Sequence, residues 1–336
     1  MIKDTFTTTT NIVDNIVDSI GHTPLIRLQN LFPESTARFF GKLEAANPSG
    51  SLKDRTSKFI VQRAISEGFL REGDTIIESS SGNMALGLAQ ACIHYKLKLI
   101  VVVDPNLNPH TEKLLNAYGA TIDFVKTPLT KGGFLAARLQ RVQELLDEHP
   151  NSYWTNQYGN KNNPLAHHQT INEIMDDMHG DVDYLFVAAS TCGTLMGYAD
   201  FIQENNIKTK LVAVDAMGSV LFGGASRKRL IPGHGAGVAS QFLDTEKIWD
   251  HVEVSDLDCV EGCWSLLKKE GILCGGSTGG VITAMDTYTT QLEPSANCVL
   301  LLSDRGERYL DTIYNLDWVN EKFPAAHYSK NSSIGW

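Results

Sequence analysis

Short apolar runs of strand length recur along this chain, and the gaps between them carry the periodicity of amphipathic helices. The runs are Ala37–Leu43, Thr75–Glu78, Lys98–Val103, Thr121–Val125, Tyr184–Val187, Lys210–Asp215 and Cys298–Leu302. Helical patterns occupy Met84–Tyr95, Phe134–His149, Leu165–Met178, Leu195–Glu204 and Val281–Leu292. A strand apolar on both sides must be covered on both sides, and a parallel neighbour is reached only through a crossover, usually a helix. The alternation therefore predicts an α/β fold with parallel-rich sheets flanked by helices. A length of 336 residues accommodates two units. The boundary is placed where the helix ending near His149 meets Pro150-Asn151-Ser152. This gives a smaller, mobile domain over 46–150 and a larger one assembled from 12–45 and 151–325, with the first strands crossing back into the latter. Residues 1–11 read as a disordered polar lead-in and 326–336 as a C-terminal tail.

A formal net charge of −10 argues against nucleic acid or an anionic membrane as partner, but a locally basic pocket can still take small anions. The amino terminus lacks the apolar segment of a secretory signal, and no apolar run approaches the length of a membrane span. Cys92, Cys192, Cys259, Cys263, Cys274 and Cys298 form no CxxC pair, and the four-residue spacing of Cys259 and Cys263 fits one face of a helix. Reduced buried thiols and a cytoplasmic location are expected. His110 and the pair His167-His168 are not set at ligand spacing, so no metal is expected.

Four loops carry the chemistry. Asn47-Pro48-Ser49-Gly50-Ser51-Leu52-Lys53-Asp54-Arg55 sets a lysine at the mouth of a predicted helix, with Ser51 as its N-cap. The positive end of a helix lowers an amine's affinity for its proton, and a neutral lysine is the nucleophile that a Schiff base with an aldehyde cofactor requires. Ser79-Ser80-Ser81-Gly82-Asn83 follows a strand and opens a helix, which suits a carboxylate, although a plain helix-capping turn gives the same pattern. Ser190-Thr191-Cys192-Gly193-Thr194 stands at another strand-to-helix junction, where hydroxyls and N–H groups suit a phosphate monoester. Cys274-Gly275-Gly276-Ser277-Thr278-Gly279-Gly280 holds four glycines in seven residues, implying close backbone approach either to a flat ligand or to a packing neighbour.

In this order the four loops resemble those of the fold-type II pyridoxal phosphate enzymes, the cysteine synthase and cystathionine β-synthase family, from about Ile16 to Trp318. The resemblance implies a two-domain, tryptophan synthase β-subunit-like fold whose larger domain binds pyridoxal 5'-phosphate, and a homodimer. It makes Lys53 the catalytic, cofactor-bearing lysine, with Asn83 beside the cofactor's phenolic oxygen. It puts Ser190, Thr191, Cys192, Gly193 and Thr194 around the phosphate and Ser277 at the ring nitrogen. A neutral hydroxyl at that nitrogen, rather than a carboxylate, favours β-replacement or β-elimination over transamination or decarboxylation.

Some segments depart from ordinary cysteine synthases. Ser190 and Cys192 replace glycines of the phosphate loop, Met84 replaces a threonine, and Lys131–Arg138 and Asn156–Asn160 look unlike them. Val102–Pro105, Gly132–Phe134, Trp154–Tyr158, Val214–Ser219 and Ser303–Asp311 are similar to a siderophore-pathway subfamily. That subfamily condenses O-phospho-L-serine with L-glutamate, releasing phosphate and forming N-(2-amino-2-carboxyethyl)-L-glutamate on the way to 2,3-diaminopropionate and staphyloferrin B. The resemblance implies a substrate set of Ser80, Ser81, Asn83, Met84, Gln157, Arg138, Tyr158, Ser190 and Gly218. Arg138, Tyr158 and Ser190 would read glutamate, whose second carboxylate needs a cation. Arg229, in Ser226-Arg227-Lys228-Arg229, is the candidate for the leaving phosphate, although such a charge run also forms a solvated face. His234 either alters substrate contacts or is a satisfied loop histidine. A cysteine synthase using sulfide with O-phosphoserine or O-acetylserine is the alternative reading. A serine or threonine dehydratase and a cofactor-binding protein without turnover are further ones.

Overall fold

Ten strands sort into two sheets in this computed structural model, which describes residues 12–326. The lead-in expected over 1–11, and the tail beyond residue 326, lie outside the described residues. In chain order the strands are β1 (Leu25–Arg27), β2 (Arg38–Leu43), β3 (Thr75–Ser79), β4 (Lys98–Val103), β5 (Thr121–Phe124), β6 (Ser152–Trp154), β7 (Tyr184–Ala188), β8 (Lys210–Ala216), β9 (Asp250–Val254) and β10 (Asn297–Leu302). The larger sheet runs β1-β2-β10-β7-β8-β9 and the smaller β5-β4-β3-β6. All neighbours are parallel except β1 and β2.

The apolar runs read from the sequence are the central strands. Residues 298–302 of β10, 185–187 of β7 and 211–214 of β8 are buried, as double-sided coverage by helices requires. One core packs Phe186, Val214, Trp264, Val281 and Met285 on one side of the larger sheet, and another packs Leu185, Leu195, Tyr198 and Leu301 on the other. A third fills the space between the smaller sheet and helices Lys53–Ser66 and Asn83–His94.

The sequence reading missed β1, β6 and β9, which are short or carry polar residues. One of them moves the expected domain boundary. β6 pairs with β3, Thr75 opposite Ser152 and Ile77 opposite Trp154, so the smaller unit extends past residue 150. The helix expected over Leu165–Met178 is broken into Asn162–Leu165 and His168–Asp177. Helices Pro109–Ala117 and Leu316–Lys322 add to those read from sequence, and Asp256–Glu270 carries Cys259 and Cys263 on the helix their spacing suggests.

Candidate active site

The loops that follow β3, β7 and β8, the start of the Lys53 helix and the Ser277 turn converge on one cavity of about 460 Å³ between the two sheets. This is the C-terminal end of parallel strands, where α/β folds gather ligand-binding loops. Its wall includes Lys53, Ser80, Ser81, Asn83, Met84, Arg138, Gln157, Tyr158, Ser190 to Thr194, Arg229 and Ser277. A larger cavity, about 590 Å³, lies against β4, β5 and helix Gly133–Glu148, but its arginine, Arg141, is paired with Asp123, Glu144 and Glu148.

Lys53 is the first residue of helix Lys53–Ser66. Ser51 is not the cap residue; Leu52 holds that position, and Ser51 Oγ instead accepts from Lys53 N at 3.2 Å. The amine's affinity for its proton is lowered, to a pKa of about 8, chiefly because burial strips its water, while Asp304 and Cys192 push the other way. Burial, rather than the helix end invoked from sequence, is thus the leading cause. The helix start is fixed from beneath by a buried ion network. Arg55 donates from Nε to Glu44 at 2.7 Å and from Nη2 to Glu173 at 2.7 Å, and Lys42 Nζ lies 3.1 Å from Glu173.

Gly193 begins helix Gly193–Glu204, whose first N–H groups have no intrahelical acceptor and point toward the loop Ser190 to Thr194. Cys192 adopts φ +66°, a left-handed conformation that glycine takes more readily. Thr191 and Thr194 add hydroxyls, and burial pushes the Cys192 thiol up to about 12, so that it stays protonated. Ser277 reaches the cavity from the first turn of helix Gly276–Tyr288. The neighbouring glycines serve packing instead. A side chain on Gly279 would collide with the backbone of Cys259, and one on Gly262 with that of Gly279, so helices Asp256–Glu270 and Gly276–Tyr288 touch backbone to backbone. A buried amine held near neutrality, a helix-start anion loop and a neutral hydroxyl in one cavity fit pyridoxal phosphate: Lys53 for its aldehyde, residues 190–194 for its phosphate and Ser277 for its ring nitrogen.

The Ser79–Asn83 loop is built on Glu78, a fully buried residue to which the sequence reading gives no role. Glu78 accepts from Ser79 N at 2.9 Å, Thr155 Oγ1 at 2.5 Å and Gln157 N at 3.3 Å. Gln157 Nε2 in turn donates to Ser79 O at 3.1 Å, so the Ser79–Asn83 and Asn156–Tyr158 loops are tied together. Met84 lines the cavity while its sulfur packs inward against Ser57.

Asp304, Arg308, Tyr309, Asn106 and Asn108 line the cavity and were not assigned from sequence. Asp304 Oδ2 accepts from Asn83 Nδ2 at 2.9 Å and Tyr309 OH at 2.6 Å, and Arg308 donates to Asn83 Oδ1 at 2.5 Å. Both ends of the Asn83 amide are therefore spoken for, which fixes its orientation. The Ser303–Asp311 segment carries family-like residues, yet the Asn83 that Asp304 and Arg308 bind lies more than two hundred residues away.

Two sequence-nominated residues sit elsewhere. Gly218 lies in the turn after β8, where a side chain would meet Arg227, and is not part of the cavity wall. His234 is fully buried, with Nε2 3.1 Å from Val214 O and Nδ1 3.4 Å from Cys259 Sγ, and burial lowers its pKa to about 4. It is a satisfied neutral histidine whose carbonyl accepts from Arg229 Nη1 at 2.9 Å. All six cysteines are free and buried, and no group of three or more His, Cys, Asp or Glu among the described residues could hold a metal ion.

The model of the family described as "Pyridoxal-phosphate dependent enzyme" matches residues 16–304. A curated relative from Ralstonia nicotianae, named N-(2-amino-2-carboxyethyl)-L-glutamate synthase, is 42% identical over 309 residues, covering 92% of this chain and 91% of that protein. The solved cysteine synthase from Entamoeba histolytica superposes with a TM-score of 0.86 at 30% identity, over 97% of this chain and 94% of its own. The O-acetylserine dependent cystathionine beta-synthase from Helicobacter pylori gives 0.84 at 28% identity, over 90% and 99%. With Lys53 and its cradle in place, this chain belongs to the pyridoxal-phosphate dependent enzyme family, among its cysteine synthase-like, fold-type II members.

Proposed function

We propose that this enzyme condenses O-phospho-L-serine with L-glutamate, releasing phosphate and forming N-(2-amino-2-carboxyethyl)-L-glutamate, a precursor of 2,3-diaminopropionate. The observation that carries the reading is the 42% identical relative from Ralstonia nicotianae, whose name states that product. The cavity supports it: Arg138, Arg229 and Arg308 line it together with Lys53, an endowment suited to two anionic substrates and superfluous for sulfide.

Bound pyridoxal phosphate supplies electron withdrawal at the α-carbon of the phosphoserine. Ser80, Ser81, Asn83 and Gln157 hold that substrate's carboxylate, on the floor that Glu78 ties together. Lys53, held near neutrality, takes the proton from Cα and later returns it. The Cβ–O bond breaks with its electron pair leaving on phosphate, beside Arg229. The glutamate nitrogen then bonds to Cβ and loses a proton, while Arg138, Tyr158 and Ser190 hold its carboxylates. The same reading includes a cytoplasmic homodimer. Among the described residues no helix is long and apolar enough to cross a membrane.

Incubation of the holoenzyme with O-phospho-L-serine and L-glutamate, followed by product mass and phosphate release, tests the proposal. The expected result is the glutamate adduct with one phosphate per product, lost in Lys53→Ala. Cysteine formed from sulfide without any glutamate adduct would sink it in favour of cysteine synthesis. Pyruvate release without a second substrate would point to a lyase.

A further inference from the structure

Arg138 projects into the cavity from helix Gly133–Glu148, and its side chain is only 12% exposed. A guanidinium withdrawn from water to this degree needs a compensating charge. Asp104, which follows β4 and is not part of the cavity wall, supplies it, with Oδ2 3.3 Å from Arg138 Nε and its own side chain 6% exposed. The contact is ionic and out of line: Nε is buried and makes no hydrogen bond. Asp104 is itself held, because Oδ1 accepts from Asn106 N at 2.8 Å and Asn106 Nδ2 at 2.9 Å. A fixed carboxylate thus stands on the Nε side of the guanidinium. The opposite, two-nitrogen end is the one suited to a bidentate carboxylate.

We propose that Asp104 is a positioning residue for the second substrate, aiming the two-nitrogen end of Arg138 at a carboxylate of an acidic amino acid in the cavity. The inference rests on the proposed function and deepens it, since it assigns the choice of a dicarboxylate over its amide to one buried pair. Tyr158 lies within reach of the same cation, which partly offsets the upward push of burial on its phenol. The phenol and the guanidinium therefore act on one region of the cavity.

Asp104 also closes the turn through Asn106, so the test must separate turn from charge. Asp104→Asn does so, because its Oδ1 still accepts from Asn106 N while the charge is gone. With the holoenzyme of this variant, the KM for L-glutamate is expected to rise about tenfold or more, and the preference for L-glutamate over L-glutamine to shrink with it. Phosphate released by O-phospho-L-serine alone should stay near wild type, whereas Tm should fall, because Asp104→Asn leaves the withdrawn Arg138 without its counter-charge. Arg138→Lys keeps the charge but loses the fork, and should add little further loss in the Asp104→Asn background, a non-additive pair. An unchanged glutamate KM in Asp104→Asn overturns the proposal. So does a lower one, which would make Asp104 a competitor of the substrate, and so does equal loss in both half-reactions, which would reduce it to a turn residue. A wild-type enzyme that makes no glutamate adduct refutes the proposed function and this inference together, so the wild-type control tells the two failures apart.

Discussion

At Lys53, burial and charge pull the amine in opposite directions. Loss of water favours the neutral form, the Asp304 carboxylate favours the charged one, and burial prevails, leaving a pKa of about 8 against an ordinary 10.5. Between those values the native state binds fewer protons at this site than the unfolded chain, so this residue's contribution to stability rises with pH across that window. The chemical outcome is more direct. Attachment of pyridoxal phosphate to the apoenzyme, trapped on Lys53 by borohydride and read by peptide mass, should speed up by about tenfold per unit below pH 8 and level off above it. In Asp304→Asn the plateau should begin at lower pH, because the anion that favours the charged amine has been removed. A profile that does not move would assign Asp304 to Asn83 and Tyr309 alone.

The two loops joined through Glu78 belong to different elements, the end of β3 and the stretch after β6. Burial raises the Glu78 pKa to about 7 from an ordinary 4.5, with its three donors only partly offsetting the effect. Here the native state holds the proton more tightly than the unfolded chain, so the stability contributed by this group falls as pH rises from 4.5 toward 7. Urea denaturation at pH 5 and pH 7 should show that slope in the wild type and a flatter one in Glu78→Gln; equal slopes would mean another group carries it. At this scale the sequence conveys what is carried locally. Strands such as β4, with Lys98–Val103 apolar nearly throughout, and loops such as Ser79–Asn83, with hydroxyls beside a helix start, carry their signals locally. β9, with the sequence DHVEV, and the three-residue β6 become strands only through their neighbours. Asp104, Glu78, Asp304 and Arg308 were illegible for the related reason that a lone carboxylate or guanidinium acquires its role from partners as much as 225 residues away.

Across the molecule, the smaller sheet meets the larger unit around the cavity, in part through polar links from Asn83 and Asn108 to the 304–308 segment. We propose that the smaller unit moves and closes over bound substrate. O-phospho-L-serine added to the holoenzyme should then slow amide exchange at residues 79–84 and 106–111 well beyond any change in β7 and β8, as read by hydrogen-exchange mass spectrometry. Uniform protection, or none, would remove the motion from the scheme. A different consequence follows from the position of β10 between β2 and β7, with Asn297 opposite Arg38 and Leu302 opposite Leu43. During synthesis β2 emerges early, yet the strand that covers its edge arrives more than two hundred and fifty residues later. The smaller sheet has all four of its strands by Trp154 and can assemble while the ribosome is still at work. The larger sheet must wait for almost the whole chain, so the unit that carries Lys53 and the Ser79–Asn83 loop can take shape before the one that carries Ser190 to Thr194 and Ser277.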